Sequence, residues 1–236
     1  MISMKNEPKK IEVESKRMDK ELFEDSGGQN ETWRIFQIMS EFVTGFELLR
    51  KYKKAATFFG SSRSGLKPKE YKDAEDLAGQ LAQDGYAIIT GGASGIMEFA
   101  NKGAFKAGGD SVGINIELPE EQTINKYVKD SANFHHFFTR KVMLAFASQV
   151  YIFFPGGFGT LDEFFELVTL VQTKKIKPIP LILVGRDYWQ PLQDFLKKTV
   201  YKDHQAISQE DFNLYHIVDN ADEAYKLIKS ILKIKK

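Results

Sequence analysis

The sequence contains no cysteine. Disulfides, thiolate zinc sites, iron–sulfur clusters and cysteine nucleophiles are therefore excluded together. An excess of either charge is also missing. The 33 Lys and Arg residues face 32 Asp and Glu, a formal net charge of +1. The chain as a whole exerts no long-range pull on nucleic acid or on an anionic membrane, so neither is an expected partner. Long apolar runs are absent: a run such as 179–184, which contains Pro180, is far too short to span a bilayer. After Met1, Ile2, Ser3 and Met4 the N-terminus turns charged, without the apolar stretch of a secretory signal, and a cytoplasmic protein is expected. Histidine is scarce. His135, His136, His204 and His216 show no H-E-x-x-H spacing, and on a strand His135 and His136 would face opposite ways, so no catalytic metal is expected.

What remains is a chain of 236 residues, 42% hydrophobic and 28% charged, enough for one substantial core. Residues 1–31 are dense in Lys, Glu and Asp and end in a Ser-Gly-Gly-Gln-Asn run around 26–30. That composition buries too little apolar surface to offset chain entropy, and a flexible charged tail is expected. From Thr32, a plausible N-cap, the pattern changes to Trp33, Phe36, Ile38, Met39, Phe42, Phe46 and Leu49, the spacing of a helix with a broad apolar face.

Strand and helix patterns then alternate. Strands are read at 55–60, 86–90, 111–116, 149–154, 179–184 and 215–218, with a further short one at 134–137 after an irregular stretch over 117–132. Helices are read at 69–83, 96–107, 140–148, 161–173, 188–200 and 221–232, with Pro68 just ahead of the first and Pro191 in the first turn of the fifth. Short apolar strands alternating with amphipathic helices imply an α/β fold: a doubly wound parallel sheet with helices on both faces, right-handed crossovers, and one domain over 32–236.

In such a sheet the ligand site lies beyond the carboxyl ends of the strands. Three loops there carry glycine: Gly60-Ser61-Ser62-Arg63-Ser64-Gly65, Gly91-Gly92-Ala93-Ser94-Gly95 and Pro155-Gly156-Gly157-Phe158-Gly159-Thr160. Glycine there lets backbone N–H groups converge on an anion at a helix N-terminus, and phosphate is the natural occupant; glycine also serves merely to close a tight turn. The second and third loops together favour an anion. Neither a Walker A loop nor a G-x-S-x-G elbow is present, and the third loop lacks the last glycine of the dinucleotide fingerprint.

Arg140 and Lys141 stand near the start of a helix, where cations oppose the macrodipole by about 0.3–1 kcal/mol each. Either they form an ordinary surface pair, or an anionic ligand or carboxylate relieves them. Glu163 follows Thr160 at the spacing of a T-x-x-E capping box, yet it also sits one turn beyond the glycines, within reach of a sugar or a water as a general base. Glu98 has the weaker version of the same ambiguity, and Asp162 and Glu166 read as solvated helix positions.

Taken together these residues resemble the LOG (lonely guy) family. Phe154-Pro155-Gly156-Gly157-Phe158-Gly159-Thr160-Leu161-Asp162-Glu163 resembles its P-G-G-x-G-T-x-x-E motif, Arg140-Lys141-Val142-Met143 its R-K-x-x-M element, and Gly60-Ser61-Ser62 and the run from Gly91 to Glu98 its first two ligand-facing loops. The likeness runs from Ala55 to about Leu232, and the leading helix is similar to that of longer bacterial members. Ala93 stands where many relatives have a third glycine, and Phe137-Phe138-Thr139 where short members carry a Met-His element.

The resemblance implies a Rossmann-like fold and hydrolysis of the N-glycosidic bond of a nucleoside 5′-monophosphate, such as AMP or a cytokinin riboside monophosphate, to free base and ribose 5-phosphate. It implies no cofactor and a homo-oligomer, dimeric or larger. Arg140 and Glu163 would be the catalytic pair. Gly156, Gly157, Gly159 and Thr160, helped by Gly92 and Ser94, would hold the phosphate, and Ser62, Met97, Glu98 and Lys141 would line the nucleotide pocket. The lysine decarboxylase label once given to such proteins needs a Schiff-base lysine and a partner for a pyridinium nitrogen, which no loop here assembles. The rival reading is a nucleotide or molybdenum-cofactor carrier of the same fold, without turnover.

Overall fold

The computed structural model describes residues 29–63, 65–117 and 123–233, so most of the expected tail, 1–28, lies outside the described residues. By contact density the chain forms two units, Met1–Ser40 and Glu41–Lys236. Helix α1 (Gln29–Leu49) starts before Thr32, the expected cap, and its first part belongs to the first unit. All strands among the described residues lie in the second.

The second unit reads β1 (Ala55–Phe59), α2 (Pro68–Gln83), β2 (Ala87–Thr90), α3 (Ile96–Lys106), β3 (Ser111–Ile116), β4 (Asp130–Phe134), α4 (Phe137–Phe146), β5 (Val150–Phe153), α5 (Phe158–Gln172), β6 (Leu181–Val184), α6 (Arg186–Phe195), β7 (His216–Val218) and α7 (Ala221–Leu232). The strands form one seven-stranded sheet in the order β4-β3-β2-β1-β5-β6-β7, and every pairing is parallel. This is the expected doubly wound, Rossmann-like α/β fold.

The period of two along each strand divides the core. Ala55, Phe59, Ile89, Tyr151, Phe153, Leu181 and Leu183 face one side, where Leu48 of α1, Met143 and Leu144 of α4, Phe164 and Leu167 of α5 and Trp189 of α6 cover them. Ala56, Phe58, Ile88, Val150, Ile152, Ile182 and Val184 face the other, under Leu77 and Leu81 of α2, Ile96 and Ala100 of α3 and Ala224 and Ile228 of α7. Both faces are apolar, so the strands read as continuous hydrophobic runs, as parallel strands do.

Four local readings change. The strand expected at 134–137 lies earlier, at Asp130–Phe134, beginning within the stretch read as irregular, because its partly exposed Asp-Ser-Ala-Asn edge lacks a β-rich signature. Helix α4 begins at Phe137, so Arg140 lies inside its first turn and not at its start. Helix α5 begins at Phe158 with Gly157 as N-cap, and no side chain caps it. Helix α6 starts at Arg186, after Gly185 in the left-handed region, carries Pro191 inside and continues as a π-helical stretch, Leu196–Asp203. Among the described residues no helix is long and apolar enough to cross a membrane.

The closest helix pair depends on a missing side chain. Gly103 of α3 lies so near α2 that a Cβ there would stand 2.1 Å from the Glu75 carbonyl oxygen, an immobile backbone atom. Gly103→Ala is therefore expected to separate α2 from α3 and to destabilise the protein by about 1–3 kcal/mol, read as a lower urea midpoint at unchanged slope.

Candidate active site

The strand order reverses between β1 and β5, since β1 leads to β2 on one side while β5 pairs on the other. The loops leaving β1 and β5 therefore part at the switch point, where open α/β sheets bind ligands. A cleft of about 850 Å³ opens there. Its walls include Ser61, Ser62 and Arg63 after β1, Gly91, Ala93 and Met97 after β2, Arg140, Lys141 and Leu144 of α4, and the run from Pro155 to Glu163 after β5.

The three loops are pinned to one another through the β1 loop. The Ser61 N–H donates to the Pro155 carbonyl at 3.0 Å, and the Ser61 carbonyl accepts from the Ile96 N–H at 3.0 Å. Ser94 Oγ donates to the Ser62 carbonyl at 2.8 Å, and Tyr188 Oη donates to the Gly156 carbonyl at 2.7 Å. These links separate the two roles of glycine. At Gly95, with φ +70°, a Cβ would stand 2.2 Å from the Ser61 carbonyl oxygen, so this glycine serves the pinning. At Gly157 and Gly159, both exposed on the cleft wall, a Cβ would meet nothing within 4 Å. Their backbone faces open space at an uncapped helix N-terminus, the setting in which N–H groups and dipole receive an anion.

Of the sequence-derived site residues, Arg140, Glu163, Ser62, Met97, Lys141, Gly156, Gly157, Gly159 and Thr160 share this cleft wall. Gly92, Ser94 and Glu98 are not among the wall residues. Gly92 is buried at φ +74° beneath the loop, Ser94 serves as the staple to Ser62, and Glu98 is half-buried in the first turn of α3. Gly91 takes a different part: a Cβ there would lie 2.3 Å from Arg140 Nη2, so its missing side chain makes room for the guanidinium. Arg140 Nε donates to the Ile114 carbonyl at 2.8 Å. Burial lowers its pKa and Glu163 opposes that shift, but an arginine keeps its charge.

The capping-box reading of Glu163 fails: Gly157 caps α5, leaving Thr160 and Glu163 inside the helix. Glu163 is only 7% exposed, and its Oε2 has no hydrogen-bond partner. Burial, reinforced by Glu166 and Asp162 and opposed by Lys141 and Arg140, raises its pKa to about 7. Asp162 and Glu166 are more than solvated positions. They hold Lys141 Nζ at 2.6 Å and 3.2 Å.

The dipole conflict of Arg140 and Lys141 is met by residues the sequence did not single out. Glu41 of α1, 8% exposed, accepts from the His135 N–H at 3.0 Å and lies 3.0 Å from His136 Nδ1, and Thr139 Oγ1 donates to it as well. A carboxylate thus sits at the N-terminus of α4, bonded to Thr139, the residue before Arg140. Burial opposes its ionisation, but the bonds from Thr139, His135 and His136 outweigh burial and hold its pKa below the ordinary value. His135 and His136 lie in the β4–α4 turn and not on a strand, which is why both reach one Glu41 oxygen, at 3.4 Å and 3.0 Å. Among the described residues no group of three His, Cys, Asp or Glu side chains is placed to hold a metal. Asn125, from the stretch read as irregular, also went unforeseen: its Nδ2 reaches the carbonyls of Gly92 and Ala93 at 3.1 Å each and supports the second loop from below.

The raised pKa of Glu163 carries a stability cost with a definite sign. Between 4.5 and about 7 the unfolded chain releases a proton that the folded protein keeps, so this group lowers stability as pH rises through that window. Glu163→Gln is expected to be more stable than the wild type above pH 7, by on the order of 2–3 kcal/mol, with the gap closing at the acid end of the window. Urea unfolding across the pH range checks this.

The chain is similar to known proteins in both sequence and fold. A family model described as "Possible lysine decarboxylase" matches residues 97–228. Cytokinin riboside 5′-monophosphate phosphoribohydrolase LOG1 of Arabidopsis thaliana is 31% identical over 193 residues, covering 78% of this chain and 85% of that protein. LOG3 of the same plant is 29% identical over 189 residues, covering 77% and 82%. Among solved structures, the molybdenum cofactor binding protein of Rippkaea orientalis superposes with a TM-score of 0.57 at 25% identity, covering 76% of this chain and 98% of that one. The match through α3, α4 and the glycine loop of α5, together with the extent of the plant relatives, makes this chain a member of the LOG family.

Proposed function

We propose that this protein hydrolyses the N-glycosidic bond of a nucleoside 5′-monophosphate, AMP or a cytokinin riboside monophosphate, releasing the free base and ribose 5-phosphate. The observation that carries the reading is one cleft holding both an open, uncapped helix N-terminus and a buried carboxyl group with a pKa near 7. The relatives named as phosphoribohydrolases support the same reaction class.

The backbone from Gly156 to Thr160 receives the 5′-phosphate, which puts C1′ of the ribose deeper in the cleft. As the C1′–N bond breaks, its electron pair leaves with the base, whose nitrogen takes a proton from solvent to give the free base, and positive charge develops on the ribose ring. The Glu163 carboxylate offsets that charge and accepts a proton from the water whose oxygen bonds to C1′. The proton that Glu163 gains returns to solvent at the end of the cycle. A carboxylate with a pKa near 7 is ionised enough at neutral pH to act and basic enough to take the proton. Arg140, anchored by Ile114 and fitted against Gly91, balances charge on the departing base and orients Glu163. Burial weakens the Lys141 charge, but its bonds to Asp162 and Glu166 prevail and raise its pKa. That is the reverse of what a Schiff-base lysine needs, so the decarboxylase description gains no support from this cleft.

The likeness to a molybdenum cofactor binding protein favours a second reading, a binder without turnover. Incubation with AMP separates the two, since a binder leaves AMP intact. Exposed apolar side chains at Val43, Phe46, Phe138 and Phe146 support self-association into a homo-oligomer.

In the hydrolase, Glu163→Gln is expected to cut adenine release from AMP by about 10²–10⁴-fold. Wild-type kcat/KM is expected to rise with pH around an inflection near 7, and the variant to lose that inflection. Gly91→Ala, which displaces the guanidinium, is expected to lower kcat while leaving ribose 5-phosphate binding near the wild-type value. Turnover of Glu163→Gln at the wild-type rate would remove this residue from the mechanism.

A further inference from the structure

Three cations, Arg63, Arg140 and Lys141, stand on the cleft wall. Two of them are committed. Arg140 is tied to the Ile114 carbonyl beside Glu163, and Lys141 is clamped between Asp162 and Glu166. Among the described residues the guanidinium of Arg63 has neither an ion pair nor a hydrogen bond, and the residue is exposed. Its backbone, by contrast, is held at both ends. The Arg63 N–H donates to Ser61 Oγ at 3.0 Å, and its carbonyl accepts from Tyr71 Oη at 3.0 Å. Tyr71 in turn packs on Phe99, with ring centroids 4.9 Å apart. Ser61 is also the residue whose N–H is bonded to Pro155, so the root of Arg63 is fixed relative to the Gly156–Thr160 backbone while its head is free.

The chemistry of the ligand calls for such a group. A phosphate monoester carries close to two negative charges at neutral pH, whereas a helix N-terminus supplies the equivalent of about half a positive charge. On the same wall Asp162 and Glu163 add negative potential, partly answered by Lys141 and Arg140. A planar guanidinium with paired donors matches two phosphate oxygens at once.

We propose that Arg63 closes over the 5′-phosphate as its second, cationic arm, opposite the glycine backbone after β5, and that it makes the site select phosphorylated over unphosphorylated ribosides. This inference rests on the nucleoside monophosphate reading above and names the residue that enforces it.

The test measures ribose 5-phosphate binding by titration calorimetry, and base release from AMP and adenosine, for the wild type, Arg63→Ala and Arg63→Lys. Arg63→Ala is expected to weaken ribose 5-phosphate binding by about tenfold or more and to raise KM for AMP by a similar factor with a smaller change in kcat. Its preference for AMP over adenosine in kcat/KM is expected to fall by the same order. Arg63→Lys, which keeps the charge without the paired donors, is expected to recover part of the loss. Ribose 5-phosphate affinity of Arg63→Ala within twofold of the wild type, or an unchanged AMP-to-adenosine preference, overturns the assignment. The two readings fail separately. Arg63-dependent ribose 5-phosphate binding without base release from AMP sinks the hydrolase and keeps the phosphate arm, whereas adenine release that ignores Arg63 keeps the hydrolase and sinks the arm. A wild type that binds no ribose 5-phosphate overturns both.

Discussion

The peptide units around Ser61 hold the functional edge of this sheet together. The Ser61 N–H is bonded to Pro155, at the end of β5, and the Ser61 carbonyl to Ile96, at the head of α3. Strands β2, β1 and β5 lie side by side, so one loop fixes the spacing of its two neighbours. The close fit at Gly95 and the Tyr188 bond to Gly156 follow from the same constraint, because each keeps a backbone approach open or in place. A cleft whose walls are backbone pinned to backbone needs little reorganisation when an anion arrives, which is the condition for strong electrostatic binding.

Charge around the cleft is arranged in layers. Glu41 sits under the N-terminus of α4 and offsets the dipole where Arg140 and Lys141 begin. Lys141 then engages Asp162 and Glu166 on α5, and Glu163 is left between them, buried, with one oxygen unbonded. A carboxyl group kept partly protonated by burial lowers the stability of the fold at neutral pH. It lies on the wall of the cleft at the sheet's switch point, the kind of setting in which perturbed groups commonly serve function at a cost in stability.

The period-two and period-3.6 patterns made most elements legible, since β1, β3, α2 and α3 are each defined by apolar spacing with Pro or Gly near their ends, and α7 by its apolar spacing after the Asn220 cap. The order of the loops, the family motif and nine residues of the cleft wall were legible for the same reason: they are local in sequence. Strand β4 escaped because its pairing with β3 comes from backbone register and not from its Asp-Ser-Ala-Asn composition. Thr160 and Glu163 looked like a capping box because spacing alone does not reveal where a helix starts.

Sequence by itself determined the parallel α/β architecture, the three glycine loops at strand ends and the exclusion of thiol chemistry, because each follows from residue type and short-range spacing. Only tertiary structure decided which glycines face the open cleft and which make room for Arg140 or the Ser61 carbonyl. It alone joined Glu41 to a helix almost a hundred residues away and desolvated Glu163 until its pKa reached about 7. Close approach and desolvation are sums over atoms distant in the chain, and no local pattern of residues records them.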